Sequence, residues 1–243
     1  MAVSTIPSTQ PAGPIEPLSN GAIPPLENGD RLTREEFERR YNAMPGLKKA
    51  ELIGGVVYMP SPVRQRYHGR QHSHLIFWLT AYELRTPGVE VGDNSTVRLS
   101  PEDEPQPDCL LFIQPEHGGR VQIGEVGYIE GAPDLVAEVA ASSVSYDLGQ
   151  KLEAYAANGV RQYVVWRVRD RAIDWYSNRG GGFERVLPTA DGILRSEVFP
   201  GLWFDPDALL RADLHTVLAV LQTGLDSPEH ADFVARLARD RSE

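Results

Sequence analysis

The chain has 243 residues, 41% apolar and 24% charged, which suits a soluble globular protein with one sizeable domain. A net charge of −10 argues against a surface coated in basic residues, and no apolar run approaches the ~18 residues of a membrane span. The lone cysteine, Cys109, excludes an internal disulfide and a cysteine-based zinc site, and makes a reducing cytoplasm the expected compartment.

Residues 1–29 hold six prolines, three glycines and no basic residue. They read as a disordered, polyproline-like tail outside the fold, and not as a secretory signal. The rest divides into a domain over 30–210 and a helical extension over 211–243. Thr33, followed three residues later by Glu36, is a capping box that starts a short helix ending near Tyr41. Residues 50–59 read as two strand pieces around Gly54-Gly55, and 66–85 as a helix with an apolar stripe. Short strands follow at 89–92 and 95–99 about a Gly92-Asp93-Asn94 turn, then a buried strand at 108–113 and a Gly-rich acidic loop at 114–130. A strand at 134–140, a helix at 146–158 capped by Gly159 and a strand at 161–167 form a βαβ crossover. Strands at 171–176 and 183–187 precede two helices, 206–222 and 228–240. The fold class predicted is α/β or α+β, a mixed sheet flanked by helices.

Charge is unevenly spread. Residues 101–138 contain nine acids against one base, Arg120. Residues 64–74 contain Arg64, Arg66 and Arg70 with three histidines and no acid, the pattern of a helix that faces phosphates. The bases differ in kind as well: 21 arginines stand against three lysines, Lys48, Lys49 and Lys151. In such a chain a retained lysine marks a place where a compact, movable ammonium serves and a planar guanidinium does not.

Two carboxylates stand out on the central strands. Asp108 follows Pro107 at the head of one. Glu138 lies inside the apolar strand DLVAEVA, where alternation puts Asp134, Val136, Glu138 and Ala140 on one face and Leu135, Ala137 and Val139 on the other. A carboxylate inside an apolar strand is costly unless paired or bound to a metal. Lys151 borders the apolar stripe of the following helix, formed by Leu148, Leu152, Tyr155 and Ala156, and is within reach of Glu138. Two acids and a lysine converging on one point can hold magnesium and hydrolyse a phosphodiester. His68 and His72 have the one-turn spacing that can chelate zinc, but neither a glutamate between them nor a third ligand accompanies them.

The segments AELIGGVVYMPSP, RYHGRQHSHL, QPDCLLF, GAPDLVAEV, YDLGQKLEAYAANGVRQYVVW and SEVFPGLWFDP occur in the order found in the Uma-two family of restriction endonucleases, which the chain resembles over about 33–210. The resemblance implies the PD-(D/E)xK nuclease fold, with an acidic site at Asp108 and Glu138 and the lysine taken from the following helix, Lys151, because Ala140 stands at the usual lysine position. It further implies Glu51 as a third acid and metal ligand, and His68 as a residue lining the site. The chain departs from the family at Gly54-Gly55, where Asp-Gly is common, and at Ala141-Ser142-Ser143, where Ser-Pro-Ser is usual.

The reading is a nuclease cutting DNA with Mg²⁺ or Mn²⁺. Glu51, Asp108 and Glu138 hold the metal, Lys151 acts at the water or the phosphate, and Arg64, Arg66, His68 and Arg70 contact nucleic acid. The C-terminal helices either pack on the core or form a homodimer. Two rivals stay open: a catalytically inactive nucleic-acid-binding or regulatory module on the same fold, and a hydrolase of small phosphate esters.

Overall fold

Three runs of almost unbroken apolar sequence, 109–113, 135–140 and 162–167, form the buried centre of the fold. The computed structural model describes residues 22–59, 65–180 and 182–241. Its elements in chain order begin with α1 (Arg34–Asn42), β1 (Glu51–Ile53), β2 (Val56–Tyr58), and a π-helical turn (Gln65–Gly69) that runs into α2 (Arg70–Glu83). Next come β3 (Val89–Asp93), β4 (Val97–Arg98), β5 (Cys109–Ile113), β6 (Gln122–Ile123), β7 (Ile129–Glu130) and β8 (Leu135–Ala140). The chain continues through α3 (Val144–Asp147), α4 (Gln150–Ala157), β9 (Gln162–Arg167), β10 (Ala172–Asn178), β11 (Phe183–Arg185), β12 (Leu194–Arg195) and β13 (Trp203–Phe204). It ends with α5 (Pro206–Leu210), α6 (Leu214–Leu225) and α7 (Pro228–Arg239).

The main sheet has the order β11-β10-β9-β8-β5-β3. Only the β8–β9 pair in it is parallel, and α3 and α4 make the crossover between them. The sequence reading of a mixed sheet built on a βαβ unit is therefore observed. Strand β8 is central, so Glu138 is not an edge residue facing water. Leu135, Ala137 and Val139 join the larger core under α2, α6 and α7, with Trp78, Trp175, Val217, Leu221 and Phe233. Val136 and Ala140 face the other way, into a smaller core with Tyr155 and Tyr163.

Local chemistry explains several boundaries. Gly54 and Gly55 both have positive φ, 56° and 72°, which closes the β1–β2 hairpin. The Thr33 hydroxyl caps α1 by accepting from the Glu36 amide, but the Glu36 carboxylate turns to Arg39 and Arg40, so the box is half made. The helix expected over 146–158 is broken at Gly149, where a side chain would meet the Ser145 carbonyl at 2.6 Å. The helix expected over 206–222 is two helices, because Ala212 takes a left-handed φ of 60° and Asp213 caps α6 by accepting from the Thr216 amide. The turn at 92–94 does not close a hairpin. Strand β3 pairs with β5, while β4 pairs in parallel with β7 in a separate small sheet.

The ends also differ from expectation. Residues 1–21 lie outside the described residues. Residues 22–29, read as tail, include Leu26, which is 3% exposed in a small core with Phe37, Leu52 and Val57. The Gly29 amide donates to the Val57 carbonyl. Helices α6 and α7, read as an extension, share the main core. No helix among the described residues is long and apolar enough to cross a membrane.

Candidate active site

Strand register places the two central carboxylates. Cys109 lies opposite Ala137 in the antiparallel β5–β8 pair, so one step further puts Asp108 opposite Glu138. The Asp108 amide approaches Glu138 Oε2 at 3.4 Å, and the Val139 amide donates to Asp108 Oδ2 at 2.8 Å. The α3–α4 crossover returns over this end of β8 and brings Lys151 and Tyr155, one turn apart on α4, onto Glu138. Lys151 Nζ lies 2.7 Å from Glu138 Oε1, and the Tyr155 hydroxyl donates to the same oxygen at 3.0 Å. The hairpin supplies Glu51, whose Oε1 lies 2.8 Å from Lys151 Nζ and also accepts from the Gln106 amide at 2.8 Å. Glu51, Asp108, Glu138 and Lys151 are each 3% exposed.

Burial dominates the electrostatics. It pushes the Glu138 carboxyl upward from the ordinary range; Lys151 opposes the rise, and Asp108, Asp147 and Glu51 add to it. Burial also works against a charge on Lys151, but Glu138 and Glu51 outweigh it and hold the amine well above the usual lysine range. Lys151 is therefore a cation at neutral pH and serves as a charge and hydrogen-bond donor, not as a base. Burial likewise opposes ionisation of Asp108. The hydrogen bond from His68, the Lys49 charge and the Val139 amide overcome it and hold this carboxyl below the ordinary range. Tyr155, raised by burial and by Glu138, remains a neutral donor.

The structure brings together five of the residues singled out in the sequence: Glu51, Asp108, Glu138, Lys151 and His68. His68 Nε2 sits 3.0 Å from Asp108 Oδ2. Arg66 and Arg70 lie exposed on the same helical turns as His68. Arg64 lies outside the described residues. His72 is not paired with His68 as a chelate: its Nε2 lies 2.9 Å from both the Asp108 carbonyl and Asp93 Oδ1. Four further residues were missed. Tyr155 was read as core stripe. Tyr146 places its ring 5.4 Å from Lys151 Nζ. Asp147 is buried behind the site and bonded to the Ser143 hydroxyl. Lys49 Nζ is 3.6 Å from Asp108 Oδ1. Only Lys49 left a signal in the sequence, as one of the three lysines.

The donor set suits a hard divalent ion that keeps several waters. Asp108 and Glu138 offer carboxylate oxygens on adjacent strands, and Mg²⁺ needs no more than one or two protein carboxylates. The nearby Cys109 thiol is raised by burial and is not a thiolate ligand. Among the described residues no three His, Cys, Asp or Glu side chains are grouped so that together they could hold a metal ion. Glu51 spends its oxygens on Lys151, Gln106 and Tyr146, so here it orients the lysine.

The sequence profile of the Uma2 family, described as "Putative restriction endonuclease", matches residues 34–210. In three dimensions the chain is similar to a crystal structure of a "putative nuclease belonging to DUF820" from Anabaena variabilis, with 14% identity and a TM-score of 0.52. That similarity covers 77% of this chain and 97% of the other, and it shows the shared fold. No curated protein matches the chain.

Proposed function

From the premise that this chain belongs to the Uma2 family, we propose that it hydrolyses phosphodiester bonds in DNA, using Mg²⁺ or Mn²⁺ held by Asp108 and Glu138. The observation that carries the reading is the buried ammonium of Lys151, 2.7 Å from Glu138 and 2.8 Å from Glu51, beside a strand pair that opposes Asp108 to Glu138. A bound divalent ion lowers the pKa of a coordinated water and screens the phosphate charge. Lys151, fixed as a cation, donates to the phosphate oxygen on which negative charge develops. Glu51 and Tyr155 limit where that ammonium and the Glu138 carboxylate can point. His68 and the Val139 amide hold Asp108 Oδ2, leaving Oδ1 for the ion. In the reaction a water oxygen bonds to phosphorus, the bond to the leaving sugar oxygen breaks, and the water's proton ends on that oxygen. Arg66 and Arg70, with Arg64, supply phosphate contacts outside the centre.

One observation favours a second reading, a catalytically silent nucleic-acid-binding module. Glu51, Asp108 and Glu138 each have a lysine as ionic partner. Cleavage of supercoiled plasmid in Mg²⁺ or Mn²⁺, wild type beside Glu138→Ala, separates the two. The nuclease reading expects nicked and linear DNA with wild type and a loss of at least ~10³-fold with the variant. Salt-sensitive DNA binding with no cleavage in either metal would favour the silent module.

A further inference from the structure

The lysine economy of this chain has a spatial counterpart. Of three lysines among 24 basic residues, two meet at the carboxylate cluster. Lys49 stands two positions before Glu51, in the irregular segment leading into β1, and both side chains reach the carboxylate cluster while Ala50 and Leu52 pack into the small core. The two lysines are held very differently. Lys151 is 3% exposed and locked at 2.7 and 2.8 Å between two carboxylates. Lys49 is 24% exposed and reaches Asp108 Oδ1 from the rim at 3.6 Å.

Asp108 shares that contact with two others, and they sit on its other oxygen. Its Oδ2 is already fixed by the Val139 amide at 2.8 Å and by His68 at 3.0 Å. Lys49 thus stands at the one carboxylate oxygen left for an added cation. Resting on the nuclease reading above, we propose that Lys49 is a second active-site lysine. It covers Asp108 Oδ1 and gives way there when the ion binds. It then contacts a non-bridging oxygen of the substrate phosphate. A flexible four-carbon arm with a compact charge can make this exchange; a guanidinium, broad and planar, is poorly suited to both positions. That is a physical reason for a lysine here in an arginine-rich chain.

The test uses the full chain with Lys49→Met and Lys49→Arg and reads three quantities. The first is the thermal shift produced by Mn²⁺ alone. Lys49→Met should need several-fold less Mn²⁺ for the same shift, because a competing cation has gone. The second is the salt dependence of DNA binding at saturating Ca²⁺, used as the divalent ion so that the DNA is bound and not consumed. Its slope should fall by about 0.9, one phosphate's share, if Lys49 reaches the backbone. The third is cleavage: kcat should fall by ~10² in Lys49→Met, with Lys49→Arg recovering only a small part. Weaker Mn²⁺ binding in Lys49→Met would make the residue a support for Asp108 and overturn the proposal. So would an unchanged salt slope together with wild-type cleavage. The two readings fail separately: an active wild type with an indifferent Lys49→Met sinks only the Lys49 role, whereas a wild type that binds neither Mn²⁺ nor DNA sinks both.

Discussion

The two faces of β8 do opposite work. Leu135, Ala137 and Val139 look into a dry core of aromatic and aliphatic side chains beneath α2 and α6. Glu138, one residue away from two of them, looks into a pocket of ionisable groups closed by α4 and the β1–β2 hairpin. The backbone is paired with β9 from Leu135 to Ala140 and with β5 from Leu135 to Ala137, beyond which the Val139 amide turns to the Asp108 carboxylate. A period of two therefore lets one strand carry both core packing and the candidate chemistry. The lesson is that burial alone does not distinguish the faces. The polar one is as inaccessible as the other, and its cost is offset only because every buried charge has a partner.

Substitutions can break this division of labour. Lys151→Met removes the shared partner of Glu51 and Glu138, so it should strike both properties. We expect cleavage to fall by ~10²–10³, and unfolding free energy to fall by about 3–5 kcal/mol, because two buried carboxylates are left uncompensated. Denaturant melts and cleavage rates on the same preparation check this. Adding Glu138→Gln should restore part of the stability and none of the activity. Leu135→Ala, on the other face of the same strand, should cost about 2–5 kcal/mol of stability while the folded fraction keeps its cleavage rate. A cleavage rate per folded molecule that dropped with Leu135→Ala would mean the two faces are not independent.

Smaller effects sharpen the comparison with the hairpin side. Removing residues 1–29 takes Leu26 out of the small core that carries β1 and hence Glu51. We expect a loss of about 1.5–3 kcal/mol, read as a fall of several degrees in Tm. Glu104, on the segment bonded to β1, is raised to about 8 by burial first and then by its hydrogen bond and repulsion with Glu38. Its folded-state pKa lies above the ordinary value of 4.5, so between those limits the folded protein binds more protons than the unfolded chain. Stability from this group is complete below about 4.5 and is lost as pH rises through 8. Glu104→Gln should flatten the decline in Tm between pH 5 and 8; an equally steep decline in the variant would place the titration elsewhere.

Much of the site could be read from the residues alone, because its two strongest signals are local. Glu138 is conspicuous in an apolar strand, and Lys151 in an arginine-rich chain. The βαβ unit was legible from apolar runs that flank one helix. What escaped depends on tertiary packing. Tyr155 has the spacing of a core residue and is one, yet its hydroxyl meets Glu138. Asp147 joins the site because Gly149 breaks the crossover helix, a conformational effect that periodicity does not report. Glu51 came from the family resemblance, which placed it at the cluster; its pairing with Lys151 is visible only in three dimensions. The left-handed turn at Ala212 left no pattern, so α5 and α6 were read as one helix.

The central claim is that the polar face of β8 is a divalent-metal site, and the most direct measurement is thermal unfolding of wild type and Glu138→Gln across a Mn²⁺ titration. An ion that binds only the folded protein should raise Tm progressively, adding about 2.7 kcal/mol at one hundred times its dissociation constant. We expect that rise in wild type and its absence in Glu138→Gln. A wild-type Tm that stays flat to millimolar Mn²⁺, or a variant that rises in parallel with it, would contradict the account.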